Sequence, residues 1–112
     1  MVFGFTSCTA QDGVKSITTT ELKALLEKEN IQLLDVRSPE EIKQGAINTA
    51  RFANYFDGDF YEKAAKQLDI NKPVYLYCRS GNRSGKSAKI LKAKGFTVYN
   101  VLGGYSQWKK EN

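Results

Sequence analysis

Cys78 lies in the segment VYLYCRSGNRSGKSAKILKAKG (residues 74–95), where an apolar stretch ends and a helix-like pattern begins. The chain has two cysteines and no histidine, and Cys78 is followed closely by Arg79 and Arg83. The thiolate is the nucleophilic form of cysteine, and nearby positive charge and backbone amides lower the pKa of the thiol. The segment therefore favours thiolate chemistry over the more common role of cysteine as a small buried apolar residue.

The residues between Cys78 and Arg83 suit a tight anion-binding loop. Successive backbone amides of a tight turn that enters a helix N-terminus converge on one point, and the helix dipole adds positive potential there. Gly81 permits the sharp backbone path that such a turn needs. These features predict a thiol pKa within the range of about 3.5 to 7.5 that activated cysteines show, without a histidine.

Other loop chemistries fit these residues less well. A nucleotide-binding loop requires G-x4-G-K-[ST], and its first glycine would have to stand at position 80, which is Ser80. Cysteine proteases need a histidine base, which this sequence lacks. Cysteine phosphatases use the spacing C-x5-R, whereas Arg83 gives C-x4-R. The shorter loop favours a smaller target, a single sulfur atom attached to Cys78.

Cysteine usage argues against a metal or disulfide framework. Cys8 and Cys78 lie far apart in sequence, form no C-x-x-C pair and have no histidine to share a metal with. We therefore expect neither a metal nor a cofactor.

The charge of the chain is unevenly distributed. It has 17 Lys and Arg residues against 12 Asp and Glu, and nine of the basic residues lie in residues 71–112, where Glu111 is the only acid. Such a positive field attracts anions, which favours a small anionic substrate. We expect no nucleic-acid partner, because the lysines that follow the loop are not interleaved with aromatic residues that could stack on bases: Lys86, Lys89, Lys92 and Lys94.

The elements that must position Cys78 alternate between strands and helices. The strand-like runs are residues 31–37, 45–50, 74–78 and 96–102, of which 45–50 is the weakest. Helical patterns begin after Thr18 and Ser38, each with a glutamate at capping-box spacing, and cover residues 60–68 and 84–94. The alternation predicts an α/β fold, with a small, mainly parallel sheet, helices on both faces, and active residues at the carboxyl ends of strands.

Length and composition fit one domain. The 112 residues are 41% hydrophobic, which is enough for one modest core. We expect a flexible tail over residues 1–15 and a monomeric domain over residues 16–112. No apolar run approaches the ~20 residues of a membrane span, so we expect a cytoplasmic protein. An exported protein or lipoprotein is the alternative if residues 1–8 are the remnant of a signal peptide.

Several segments together resemble the rhodanese-like family of sulfurtransferases over about residues 16–110. They are LLDVRSPEE, GAIN, VYLYCRSGNRS, GF at 95–96 and VLGGYSQW, and CRSGNRS is the most specific of them. The resemblance implies a rhodanese-like fold and a single-domain thiosulfate sulfurtransferase. In such an enzyme the cysteine takes a sulfane sulfur from a donor such as thiosulfate, holds it as a persulfide and passes it to cyanide or a thiol.

The resemblance also assigns roles by position. Cys78 would be the nucleophile and persulfide carrier, and the five residues after it would form the substrate-binding cradle: Arg79, Ser80, Gly81, Asn82 and Arg83. The rhodanese-like fold also hosts modules without turnover. The alternative function is therefore a sulfur relay or protein-binding module that holds sulfur for a protein acceptor.

Three further segments match the family or depart from it. Asp35 and Arg37 match its DVR motif, and a fold-stabilising ion pair explains them slightly better than a role at the site. The closing turn is expected to serve packing, through Gly103, Gly104 and Trp108. The family commonly has a Gly-His-Ile-x-Gly stretch before GAIN, whereas EEIKQGAIN is shorter and lacks the histidine. We therefore do not expect the usual loop against the active-site wall.

Overall fold

The computed structural model of the chain describes residues 13–112. Its strands are β1 (Lys15–Ile17), β2 (Gln32–Asp35), β3 (Arg51–Phe52), β4 (Val74–Tyr77) and β5 (Val98–Val101). They form one sheet in the order β1-β5-β4-β2-β3, and every pair of neighbours is parallel. The predicted parallel α/β architecture is confirmed, with β4, the strand that leads to Cys78, at the centre.

Five helices connect or follow the strands. They are α1 (Thr19–Lys28), α2 (Pro39–Lys43), α3 (Phe60–Ala65), α4 (Asn82–Ala93) and α5 (Gly104–Glu111). Both predicted capping boxes are present, because Thr18 and Ser38 each accept a hydrogen bond from the backbone amide of the glutamate three residues later. Helix α4 begins two residues earlier than the sequence pattern predicts, so it starts inside the loop. None of these helices is long and apolar enough to cross a membrane.

The pleat of the sheet divides the core into two layers. Successive side chains of a strand point to opposite faces, so Leu76 and Cys78 lie on one face and Tyr77 lies on the other. The first face packs on α3 and α4, and the second packs on α1 and α5. Cys78 is therefore held between the end of β4 and the start of α4.

The segment predicted as a weak strand, residues 45–50, is a loop, so this prediction was wrong. Gly45 and Thr49 have φ values of +137° and +72°, which strands do not accommodate. Side-chain and backbone bonds fix the loop, since Ile47 N donates to Tyr77 Oη at 3.0 Å. The strand of this region is β3, which begins directly after the predicted segment.

Strand β1 was not predicted from the sequence. It pairs with β5, and Val14 just before it is 3% exposed and belongs to the core. The ordered domain therefore starts before residue 16. Residues 1–12 of the expected flexible tail lie outside the described residues.

Candidate active site

The candidate nucleophile lies in the turn between β4 and α4. Strand β4 ends at Tyr77, Cys78 follows, and Gly81 is the N-cap residue of α4 with a φ of +109°. This left-handed conformation favours glycine, which accounts for Gly81 in the middle of the turn. The turn brings backbone amides back over the cysteine, as the loop residues predict.

The Cys78 sulfur is enclosed by hydrogen-bond donors. Gly81 N lies 3.1 Å and Ser84 Oγ lies 3.4 Å from Cys78 Sγ. Burial of the residue, which is 1% exposed, acts to raise the pKa of the thiol. Hydrogen bonds from the Ser84 hydroxyl and from the amides of Ser84, Gly81 and Ser80 outweigh burial and lower the pKa below its usual value. The loop therefore favours the thiolate.

A buried polar network supports the loop from β5. Ser84 Oγ donates to Asn100 Oδ1 at 2.6 Å, and Asn100 Nδ2 donates to the Gly81 carbonyl at 3.1 Å. The sequence interpretation assigned no role to Ser84 or Asn100. Both are recognisable in retrospect, Ser84 as the last residue of CRSGNRS and Asn100 as a polar residue inside an apolar strand run.

The loop arginine Arg83 is paired with an acid from α2. Its Nη1 and Nη2 atoms lie 2.7 and 2.8 Å from the two carboxylate oxygens of Glu41. The hydrogen bond to Arg83 lowers the pKa of Glu41 to about 2. The ring centroid of Phe56, which is exposed, lies 5.5 Å from the Arg83 guanidinium carbon. The sequence interpretation placed Arg83 in the substrate-binding cradle, and the structure commits two of its donors to Glu41.

Arg79 remains available to a ligand. Its side chain is exposed and forms no ion pair with any residue in 13–112. It borders a cleft of about 280 Å³ that lies beside the loop, between α2 and α5. The other residues that line the cleft are Arg37, Glu41, Gln44, Tyr105, Ser106 and Lys109.

The closing turn before α5 holds the nucleophile's backbone. Tyr105 N donates to the Cys78 carbonyl at 2.8 Å, and Ser106 N donates to the Arg79 carbonyl at 3.0 Å. A side chain on Gly104 would collide with the Cys78 carbonyl oxygen. Gly104 therefore does more than the expected packing, because its lack of a side chain lets the backbone amides of α5 reach the loop.

The sequence of the chain matches the model of one known family, the rhodanese-like domain, over residues 18–111. This match spans nearly all of the described chain and includes the loop, Glu41 and the closing turn. The chain belongs to the rhodanese-like domain family.

Named relatives agree with this assignment. The thiosulfate sulfurtransferase GlpE of Pseudomonas syringae pv. syringae is 33% identical, over 85% of this chain and 87% of the relative. The chloroplastic thiosulfate sulfurtransferase 16 of Arabidopsis thaliana is 38% identical, over 69% of this chain and 72% of the relative. The crystal structure of a rhodanese-like domain protein from Staphylococcus aureus superposes with a TM-score of 0.76 at 38% identity, covering 85% of this chain and 91% of that one.

In this rhodanese-like domain, the DVR motif forms a buried ion pair. Arg37 Nη2 lies 2.7 Å from Asp35 Oδ2, and both side chains are almost fully buried. The Arg37 guanidinium also donates to the Gly45 carbonyl at 2.8 Å and lies 4.3 Å from the centroid of the Tyr105 ring. These contacts tie β2 to the loop after α2 and to α5, which supports the fold-stabilising interpretation.

The shortened segment before GAIN leaves Gly45 directly against α5. A Cβ atom on Gly45 would collide with the Tyr105 hydroxyl oxygen, so it is the backbone of Gly45 that contacts α5. The histidine-containing stretch that is common in the family has no counterpart here.

The residues predicted as the cradle make different contributions. Gly81 and Ser80 contribute backbone amides to the Cys78 sulfur, whereas Asn82 provides the first residue of α4. Trp108, which was expected to pack, is partly buried against the core layer that lies between the sheet and helices α1 and α5. Within residues 13–112, no group of three or more His, Cys, Asp or Glu side chains could hold a metal ion.

Proposed function

We propose that this rhodanese-like domain is a sulfurtransferase that moves a sulfane sulfur from a donor such as thiosulfate to a thiophilic acceptor. The observation that carries the proposal is the position of Cys78 Sγ, 3.1 Å from the Gly81 amide inside a loop that lowers the pKa of its thiol. An anion cradle of this size suits a sulfur atom and its negative charge. The names of the sulfurtransferase relatives support the same reaction class.

In the first step, the Cys78 thiolate attacks the outer sulfur of thiosulfate. A new S–S bond forms to Cys78, the S–S bond of thiosulfate breaks, and sulfite leaves with the bonding electron pair. Arg79 is an exposed cation beside the loop that forms no ion pair with any residue in 13–112, and it attracts the anionic donor. The loop amides then face the anionic persulfide.

In the second step, an acceptor removes the sulfur. Cyanide attacks the outer sulfur of the persulfide, a carbon–sulfur bond forms, and the Cys78 thiolate leaves as thiocyanate is released. A thiol acceptor reacts in the same way and gives a new persulfide. The loop stabilises the departing thiolate with the donors that lower the pKa of the free thiol. This cycle needs no metal and no cofactor.

The proposal is tested by thiocyanate formation from thiosulfate and cyanide. The native protein and a Cys8→Ser variant should turn over, whereas Cys78→Ser should not, because its hydroxyl is not ionised at neutral pH. Turnover that survives in Cys78→Ser would contradict the proposal. A Cys78 persulfide that forms but is not passed to cyanide or thiols would assign the domain to sulfur relay instead.

A further inference from the structure

The hydroxyl group of Ser84 faces two acceptors with one hydrogen to donate. Its oxygen lies 2.6 Å from Asn100 Oδ1 and 3.4 Å from Cys78 Sγ. A carboxamide oxygen only accepts hydrogen bonds, whereas a hydroxyl group both donates and accepts them. The 2.6 Å contact therefore places the hydrogen towards Asn100 and leaves a lone pair of Ser84 facing Cys78.

The amide group of Asn100 is fixed in this orientation. Its Nδ2 atom donates to the Gly81 carbonyl at 3.1 Å, so Oδ1 is the atom that faces Ser84. Ser84 is fully buried and Asn100 is 8% exposed. Buried polar groups depend on hydrogen bonds from the protein, so water does not readily replace either contact if it is lost.

The two ionisation states of Cys78 make opposite demands on Ser84. The neutral thiol donates its own hydrogen to Ser84 Oγ, while Ser84 donates to Asn100. The thiolate has no hydrogen and is a strong acceptor, so it is stabilised when the Ser84 hydrogen turns towards Sγ. That rotation deprives Asn100 Oδ1 of its donor, which opposes thiolate formation.

We propose that Asn100 is a positioning residue that restrains Cys78 through the Ser84 hydroxyl. Asn100 holds the Ser84 hydrogen while Cys78 carries a hydrogen or a sulfane sulfur, and releases it when Sγ becomes a free thiolate. The persulfide part of this inference rests on the proposed function. When the persulfide bond breaks, the hydroxyl hydrogen turns to the departing Sγ, so no proton is transferred and only the Ser84 O–H bond rotates.

The charged side chains near Cys78 are different from Asn100 and Ser84, which are neutral. Arg83 on α4 interacts electrostatically with Cys78, and Glu41 on α2 acts on the site through its ion pair with Arg83. Arg79 follows Cys78 in the chain, and the charge of Arg37 is balanced by Asp35. Replacement of Asn100 leaves all of these charges in place.

The test is the pH dependence of Cys78 alkylation by iodoacetamide, in a Cys8→Ser background so that one thiol reacts. Asn100→Leu removes the competing acceptor, and the thiolate fraction at a fixed pH below the midpoint should rise about 2- to 10-fold, as expected for one hydrogen bond. Asn100→Asp keeps the shape, strengthens the acceptor and adds a negative charge near Cys78, so the midpoint of its alkylation profile should move to higher pH. Each variant is also measured together with Ser84→Ala.

In the Ser84→Ala background the Asn100→Leu shift should largely disappear, because the hydroxyl that transmits it is absent. The Asn100→Asp shift should become smaller but keep the part that comes from its negative charge. A purely structural role would loosen the Gly81 contact in both variants, so both midpoints would move in the same direction with or without Ser84. That result overturns the proposal. If Asn100→Leu does not fold, an equal shift of Asn100→Asp in both Ser84 backgrounds overturns it. Alkylation needs no sulfur donor, so the outcome is independent of whether the protein uses thiosulfate.

Discussion

Arg83 and Glu41 form a bidentate ion pair between α4 and α2, with N–O distances of 2.7 and 2.8 Å. The two residues lie 42 positions apart in sequence. The Glu41 carboxylate also accepts a hydrogen bond from Ser38 N in the capping box of α2. Because both charges are partly buried and satisfied, the pair braces the wall of the loop. The two loop arginines therefore differ: Arg83 is ion-paired with Glu41, whereas Arg79 is exposed and forms no ion pair with any residue in 13–112.

The brace should make stability depend on pH. The ion pair lowers the pKa of Glu41 from its usual 4.5 to about 2 in the folded protein. A carboxylate whose pKa is depressed by folding stabilises the native state above the unfolded pKa, and this stabilisation is lost as the pH falls from about 4.5 towards 2. Glu41→Gln should remove this part of the acid transition and lower the free energy of unfolding at pH 7 by about 1 to 3 kcal/mol.

The neighbouring glutamate provides the matched control for that experiment. Glu40 lies in the same turn of α2 but is exposed, and Glu40→Gln changes the net charge by the same amount. Urea unfolding at pH 7 and pH 3 should therefore distinguish the two variants. Equal losses in Glu41→Gln and Glu40→Gln would show that the ion pair does not brace the fold.

Arg79 should control the use of anionic donors. In Arg79→Gln the KM for thiosulfate should rise about 5- to 30-fold, equivalent to about 1 to 2 kcal/mol for one charged contact reduced by solvent screening. The midpoint of thermal unfolding should stay close to that of the native protein, because Arg79 forms no ion pair within residues 13–112. Lys110→Gln, an equal change of charge on an exposed residue that does not line the cleft, serves as the control. An unchanged KM in Arg79→Gln would remove Arg79 from the binding role.

Gly104 should tolerate no side chain. It has a φ of +54°, and a Cβ atom would press on the carbonyl groups of Cys78 and Arg79. Gly104→Ala should therefore cost about 1 to 3 kcal/mol of stability and displace the loop, which lowers kcat for sulfur transfer. Gly58→Ala is the control, because no atom lies within 4 Å of its added Cβ. Equal kinetics of the two variants would contradict the role of the closing turn.

Loop length should exclude phosphate chemistry. The Gly81 amide lies 3.1 Å from Cys78 Sγ, and the C-x4-R spacing leaves the loop one residue shorter than that of cysteine phosphatases. We expect a loop this tight to hold one added sulfur atom but not a phosphoryl group with its three oxygens. Hydrolysis of an aryl phosphate by the native protein should not exceed that by Cys78→Ala. Turnover that depends on Cys78 would contradict the size argument.

The sequence was most informative where the chemistry is local. The position of Cys78 after an apolar strand, Gly81 in the turn and the capping glutamates after Thr18 and Ser38 each follow from residues within a few positions of one another. Such contacts depend on backbone conformation that short patterns determine well. The central strands and the loop could be predicted for this reason.

The missed features depend on distant residues. Strand β1 has three residues and β3 has two, too few for a recognisable alternation. Strand β1 is held by pairing with β5 at the far end of the described chain, and β3 by pairing with β2. Likewise, the Arg83–Glu41 pair and the contact from Asn100 to Ser84 exist only after the sheet and helices are assembled. The sequence predicted Arg83 as a positive charge near Cys78, but it does not show which acid lies opposite.

The most direct test of the proposed function is the intact mass of the protein after treatment with thiosulfate and removal of excess reagent. The account predicts a gain of one sulfur atom in the native chain and in Cys8→Ala, no gain in Cys78→Ala, and loss of the added mass on exposure to cyanide. A gain that survives in Cys78→Ala but disappears in Cys8→Ala, or no gain in the folded native protein, would contradict the assignment of Cys78 as the sulfur carrier.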